Sequence, residues 1–170
     1  AADNQGNWVF TPDANWNGTV SLDYTVTDGN GGNANATQTF AVEAINEAPE
    51  LTGKKAHLAD GTEDLVYTIN ASDLLQGYTD IDGDTLSVQG LATSHGTLLD
   101  NGDGTWSLTP PANFNDHVEL TYSVSDGNGG STAATQSFSL APVNDAPVVS
   151  GAVNLGEMDE DGSFRITSDQ

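Results

Sequence analysis

Two stretches of this chain alternate apolar and polar residues with a period of two. Val118, Leu120, Tyr122 and Val124 are interleaved with Glu119, Thr121, Ser123 and Ser125, and Val20, Leu22, Tyr24 and Val26 repeat the pattern earlier in the chain. Such alternation predicts strands with one face in a core and the other in water. Further short strands are predicted over 65–69, 85–91, 96–99, 105–109 and 135–140, separated by clusters of Gly, Asn and Asp that supply turn chemistry. No stretch carries a helical period. About seven strands per repeat, with turns at short intervals, predict an all-β fold: an antiparallel, Greek-key sandwich of immunoglobulin-like type. Trp8, Trp106, Phe40 and Phe138 are expected as core aromatics, because thin sandwich cores need large side chains.

The alternating stretches belong to a longer internal repeat. Residues 6–49 align with residues 104–147 at a constant offset and without a gap, and more than half of the aligned positions are identical. Shared features include Trp8 with Trp106, Asn15 and Asn17 with Asn113 and Asn115, and Asp28 through Gly32 with Asp126 through Gly130. Each copy ends in a short joint, Ile45-Asn46-Glu47-Ala48-Pro49 or Val143-Asn144-Asp145-Ala146-Pro147, whose proline forbids helix and holds its neighbour extended. A second register lays Thr62-Glu63-Asp64 on Asp159-Glu160-Asp161, with Tyr67 and Ile69 matching Phe164 and Ile166. The repeat therefore begins after each proline. Residues 1–48 read as the back half of one domain, 49–147 as a complete domain and 148–170 as the start of a third, as in a longer array.

Composition restricts the partners. Three Lys and Arg against 25 Asp and Glu give a net charge of −22, so nucleic acid and anionic membranes are repelled and cations are favoured. There is no cysteine, so disulfides do not rigidify the fold. No apolar run approaches the roughly 20 residues of a membrane span, and the first residues lack the basic and apolar regions of a signal peptide, so the export signal is expected outside this piece.

The acids are where chemistry is expected. Asp80-Ile81-Asp82-Gly83-Asp84 places carboxylates at alternate positions of a glycine-containing loop, an arrangement that lets oxygens converge on a hard cation. Asp126 follows strand 118–124 in the inward phase but at the strand's end, which puts its carboxylate at the pole of the sandwich. The loop before Leu86 and the joint Asn46-Glu47 reach the same pole. An EF-hand starting at Asp80 is excluded, because it needs glycine and glutamate where the chain has Thr85 and Leu91. Asp126 through Gly130 does not recur at nine residues, so it is a turn rather than a calcium β-roll, and Asp100 through Gly104 reads as a hairpin turn. His57, His95 and His117 lack any paired metal spacing, and no nucleophile elbow, phosphate loop or dinucleotide fingerprint occurs. The chain is not expected to be an enzyme.

The order Thr-Glu-Asp, Asp-x-Asp-Gly-Asp, strand, Ser-Asp-Gly-Asn-Gly-Gly, strand, Val-Asn-Asp-Ala-Pro resembles the bacterial cadherin-like repeats found in tandem in large repetitive, RTX-type surface adhesins. The resemblance implies tandem cadherin-like sandwiches joined by short calcium-binding linkers. It implies a first joint site of Asn46, Glu47, Asp80, Asp82 and Asp126, with Asp84 in the same loop, and a second of Glu63, Asn144 and Asp145, with Asp116 as a further candidate. The joint is one residue shorter than that of animal cadherins, and Asn15-Trp16-Asn17-Gly18 carries no acid where they have an acidic loop. Extracellular calcium modules typically bind at about 10⁻⁴ to 10⁻³ M.

The expected function is a calcium-stiffened extender of a bacterial surface adhesin, extracellular, contributing to adhesion and biofilm by holding a distal binding domain away from the cell. Its expected partners are calcium ions and adjacent repeats of the same chain, with cell-surface glycans or proteins engaged through domains elsewhere. The alternatives are a carbohydrate- or protein-recognition module attached to a secreted enzyme, a homophilic contact module, and an acidic chain whose charge serves solubility alone.

Overall fold

A computed structural model describes residues 7–151, 156–163 and 165. The chain forms a hairpin followed by a sandwich. Strands β1 (Gly18–Thr27) and β2 (Asn33–Val42) pair with each other. The sandwich holds β3 (Glu50–Leu51), β4 (Gly61–Thr62), β5 (Tyr67–Asn70), helix α1 (Ala71–Leu75), β6 (Tyr78–Thr79), β7 (Ser87–Thr93), β8 (Thr97–Asp100), β9 (Thr105–Thr109), β10 (His117–Ser125) and β11 (Ser131–Ala141). One sheet has the order β4-β11-β10-β7, and β5-β9-β8 forms a second, with β3-β6 as a separate pair. All pairings are antiparallel except β4 with β11, where Leu140 lies beside Gly61 and Ala141 beside Thr62.

The internal repeat is visible in the pairing. Val20 faces Phe40, Leu22 faces Gln38 and Tyr24 faces Ala36, and the equivalent pairs Val118–Phe138, Leu120–Gln136 and Tyr122–Ala134 recur in β10 and β11. In the sandwich the alternation does what it predicts. Val118, Leu120, Tyr122 and Val124 are buried against Ile69, Leu74, Leu108 and Phe138. In the hairpin it does not: Trp8 is 82% exposed and Phe40 40%, although both were expected in a core. Among the described residues no second sheet faces β1 and β2 as β5-β9-β8 faces β10 and β11, so Leu22, Tyr24 and Val26 are exposed where their counterparts Leu120, Tyr122 and Val124 are interior, and only Val20 of the four stays buried.

The segment after Glu63 also departs from expectation. Asp64 adopts a left-handed conformation (φ 61°), and the turn leaves Leu65 and Val66 exposed, so the strand starts at Tyr67 rather than at residue 65. A helix of five residues, Ala71–Leu75, follows where none was expected. It is too short to display a 3.6-residue period and is held by burial of Leu74 and by the Tyr122 hydroxyl, which donates to the Leu74 carbonyl at 2.8 Å. Burial pushes the Tyr122 phenol up to about 12, as a hydroxyl held in its neutral, donating form should be. After α1 the chain crosses residue 53 at Gly77 (φ +88°), whose carbonyl accepts the Thr52 and Gly53 N–H groups. A Cβ there would lie 2.8 Å from the Lys54 carbonyl oxygen. The matches of Phe164 and Ile166 to Tyr67 and Ile69 lie outside the described residues.

Tyr122→Phe removes the one side-chain bond from β10 to α1 among the described residues while preserving the ring. The substitution should cost about 1–2 kcal/mol, because it leaves a buried carbonyl unpaired, and lower the thermal midpoint of the sandwich by several degrees in calorimetry. An unchanged midpoint would show that burial of Leu74 and the Gln136 amide at the Asp73 carbonyl hold α1 without it.

Candidate functional site

The phase of β10 delivers a carboxylate to the end of the sandwich. Asp126 continues the inward register after Val124 and is 4% exposed. Its Oδ1 accepts the N–H groups of Asn128 at 2.7 Å and Gly130 at 3.0 Å, closing the turn, and its Oδ2 accepts the Asn46 side-chain amide at 2.8 Å. The Asn46 donor first, and the turn N–H groups after it, hold the Asp126 carboxyl below its ordinary value against the opposing effect of burial. Gly130 lets the joint pass this close: a Cβ there would lie 2.8 Å from Ala48 Cα and 3.0 Å from the Glu47 carbonyl oxygen. The hairpin builds the same turn, with Asp28 Oδ1 accepting from Asn30 at 2.8 Å and Gly32 at 2.9 Å.

The acidic loop folds around its first member. Asp80 Oδ1 accepts the N–H groups of Asp82 at 2.9 Å and Asp84 at 3.4 Å, and the Gly83 N–H (φ +80°) reaches the Asp80 carbonyl at 3.3 Å. That wrapping brings carboxylate oxygens of Asp80, Asp82 and Asp84 within 4.8 Å of one another. Asp82 Oδ2 accepts the Glu47 N–H at 3.0 Å, and Asp84 Oδ2 accepts the Asn128 amide at 2.7 Å. The structure thus brings Asn46, Glu47, Asp80, Asp82, Asp84 and Asp126 to one pole. Asp80 Oδ2 is buried there without a hydrogen-bond partner. Burial, then the Asp82 and Asp80 carboxylates beside it, pushes the Glu47 carboxyl above its ordinary value. Sequence reasoning overlooked Asn128; its place in the Asp-Gly-Asn-Gly-Gly turn was the available signal.

The opposite pole is organised by Glu63, which is 2% exposed. Its Oε1 accepts the Val143 N–H at 2.6 Å, while its Oε2 is buried without a partner. Carboxylate oxygens of Glu63, Asp64 and Asp145 lie within 4.8 Å of one another. Asp64 was not expected in this group; its Oδ1 accepts the N–H of Asn113 at 3.0 Å, and both residues are left-handed, at φ 61° and 57°. The Asn144 amide donates to the Asp145 carbonyl at 3.2 Å, as Asn46 does to Glu47 at 3.3 Å. Asp116 is not brought into the cluster; it stands at the start of β10, where its Oδ1 accepts the N–H of His117 at 2.7 Å. His95 stacks on Phe114 with ring centroids 4.2 Å apart, a packing role rather than a ligand pair.

The cadherin-like domain family is matched by residues 1–43 and 45–141. Among solved structures the chain is similar to an endo-fucoidan hydrolase of glycoside hydrolase family 107 and to a point variant of that enzyme, each at 20% identity with a TM-score of 0.36, over 77% of this chain. The match spans 20% of the enzyme's length. No curated protein matches. Among the described residues no helix is long and apolar enough to cross a membrane.

The two perturbed carboxyls predict opposite pH responses without divalent cations. Glu47 is raised from its ordinary 4.5, so its stabilising contribution is complete below that pH and is lost as pH rises through the folded value. Asp126 is lowered from 3.8, so its contribution is present above that pH and is lost as pH falls through the folded value. In EDTA, Glu47→Gln should therefore raise the midpoint relative to the parent at pH 7 and not at pH 4. Asp126→Asn should lower it at pH 7 and converge on the parent only as the pH falls through the lowered folded value. Thermal melts across this range check both signs.

Proposed function

The chain belongs to the cadherin-like domain family, whose members are extracellular repeat modules, and from that premise we propose that it is a set of calcium-stiffened spacer repeats from a large bacterial surface adhesin. Residues 1–48, 49–147 and 148–170 are then parts of three successive repeats, and the two acidic poles are the joints between them. The observation that carries this reading is the pair of buried carboxylate oxygens, Asp80 Oδ2 at one pole and Glu63 Oε2 at the other, that no protein donor satisfies. A buried, unpaired carboxylate oxygen is costly, and like charges crowded beside it add to the cost. A hard cation removes both penalties.

The donor set suits calcium: carboxylates, amide oxygens and joint carbonyls, with neither sulfur nor a histidine pair. At the first joint Asp80, Asp82, Asp84 and Glu47 would hold the ion, with Asp126 and Asn46 fixing the joint against the turn. At the second, Glu63, Asp64 and Asp145 would do so. A bound ion supplies charge neutralisation and cross-linking of segments, not a reaction; the protein's own part is to present oxygens from the joint and the sandwich together. In this reading the module is a spacer, without catalysis, and its rigidity is set by extracellular calcium.

The test is the thermal midpoint in EDTA and in 10 mM calcium, with magnesium at equal ionic strength as control. For a Kd near 0.1 mM, linkage adds about 2.7 kcal/mol, which should raise the midpoint by about 5–10 °C. Asp80→Asn with Asp82→Asn should remove the first joint's share, and Glu63→Gln the second's. Equal responses to both cations, or none, would sink the proposal.

A further inference from the structure

The turn after β10 contains the pair Asn128-Gly129, and the turn after β1 contains Asn30-Gly31. Both pairs lie within the same five residues, Asp-Gly-Asn-Gly-Gly, at positions 28–32 and 126–130. The backbone folds alike around them. Asp28 Oδ1 accepts the N–H groups of Asn30 and Gly32 at 2.8 and 2.9 Å, and Asp126 Oδ1 accepts those of Asn128 and Gly130 at 2.7 and 3.0 Å. Only the asparagine side chains are held differently. The Asn30 amide donates to the Asp28 carbonyl at a long 3.4 Å, whereas the Asn128 amide donates at 2.7 Å to Asp84 Oδ2 in the acidic loop. A short bond to a carboxylate belongs to the stronger class.

Asparagine before glycine carries a reaction of its own. The glycine backbone nitrogen attacks the asparagine Cγ, a C–N bond closes a succinimide ring, and ammonia leaves. Solvent water then adds to either ring carbonyl and opens the ring, to aspartate or to isoaspartate. No oxidant, reductant or cofactor takes part. Glycine favours the attack because no side chain shields its nitrogen. At Gly129 the place where a Cβ would stand has no atom within 4 Å, and Asn128 is exposed, so water reaches it. What opposes the reaction is the hold of Asp84. Cγ must swing over the Gly129 nitrogen, and that movement breaks the Asn128–Asp84 bond.

We infer that Asn128 is a latched deamidation site, protected while Asp84 holds its amide and reactive once the acidic loop moves away. The reaction removes the latch for good. An aspartate at 128 has no donor to offer Asp84 and sets a second carboxylate at hydrogen-bonding distance from it. An isoaspartate also lengthens the backbone by one carbon between the two N–H groups that Asp126 Oδ1 accepts, so the turn cannot keep both bonds. The same Asp126 carboxylate holds Asn46, and the joint loosens with the turn. An opening of the first pole is thereby recorded irreversibly in the chain. None of these steps requires a bound cation.

The test is peptide mapping by mass spectrometry of the full chain, incubated in EDTA at mildly alkaline pH, with residues 30 and 128 followed in the same molecule. In guanidinium chloride the two should react at the same rate, because their local sequences are identical. In the folded parent Asn128 should lag Asn30 by about ten- to a hundredfold, the factor that a hydrogen bond to a charged group supplies. Asp84→Ala should bring Asn128 up to the Asn30 rate. Asn101-Gly102, whose amide is held by Thr105 and Ser107 inside the sandwich, should stay slow in that variant. If Asn101 accelerates as well, the sandwich has opened and Asp84→Asn decides instead: a lag smaller than the parent's supports the latch, and an unchanged lag overturns it. Equal rates in the folded parent overturn it too, as does a full lag in folded Asp84→Ala, since another contact then protects Asn128. Asn128→Asp, the product made directly, should lower the thermal midpoint by several degrees. An unchanged midpoint, with isoaspartate-containing chains melting like the parent, overturns the release of the pole.

Discussion

The end of β10 fixes the geometry of the first pole. Asp126 is placed by strand phase, and a single carboxylate there gathers a turn, a joint and, through Asn128, the acidic loop. None of these three segments has a core of its own, and their relative positions are set by hydrogen bonds to or beside one buried anion. Charge-assisted bonds of this kind are the stronger class, and several converging on one group make the arrangement depend on that group's remaining ionised. The glycine at 130 is the steric counterpart of this electrostatic demand, because the joint backbone lies where a side chain would otherwise stand.

Around that anchor the protein tolerates an arrangement that opposes folding. Three carboxylates share a five-residue loop, a fourth lies against them from the joint, and the interior oxygen of Asp80 has no donor. Only three Lys and Arg occur in the chain, and Lys55 is directed to the carbonyl of Thr135. The sandwich core, from Ile69 and Leu108 to Val124 and Phe138, is apolar and well buried, so the conflict is confined to the poles. A fold that is locally consistent in its interior and inconsistent at both ends concentrates its dependence on surroundings at those ends.

Much of this was legible in the residues. Strand phase alone located the core of β10 and carried Asp126 to the pole, and the alternate acids at 80, 82 and 84 indicated convergence before any geometry was known. What escaped did so for physical reasons. The helix at 71–75 is too short for periodicity to register. Leu65 and Val66 read as strand because their hydrophobicity outweighed the turn that a left-handed Asp64 imposes, and a positive φ at aspartate leaves little trace in sequence. Asp64 joins Glu63 and Asp145 through that same turn, which brings its carboxylate back to the pole. Trp8 and Phe40 show a different limit: the alternation reports which face of a strand is apolar, not whether another sheet covers it.

The parallel pairing of β4 with β11 has a mechanical consequence. The chain enters the sandwich at one pole, just after Pro49, and leaves at the other after Ala141, so tension along the molecule pulls these terminal segments in opposite directions. Gly61 and Thr62 lie parallel to Leu140 and Ala141, and the Glu63–Ala141 and Val143–Glu63 bonds continue the contact beyond the ladder. Force along parallel neighbours shears their bonds together, whereas an antiparallel hairpin pulled from its open end peels one bond at a time. Glu63 is therefore both a member of an acidic cluster that could hold a metal ion and the last clasp of a shear lock, so the place where carboxylates crowd is also the place where tension along the chain is resisted.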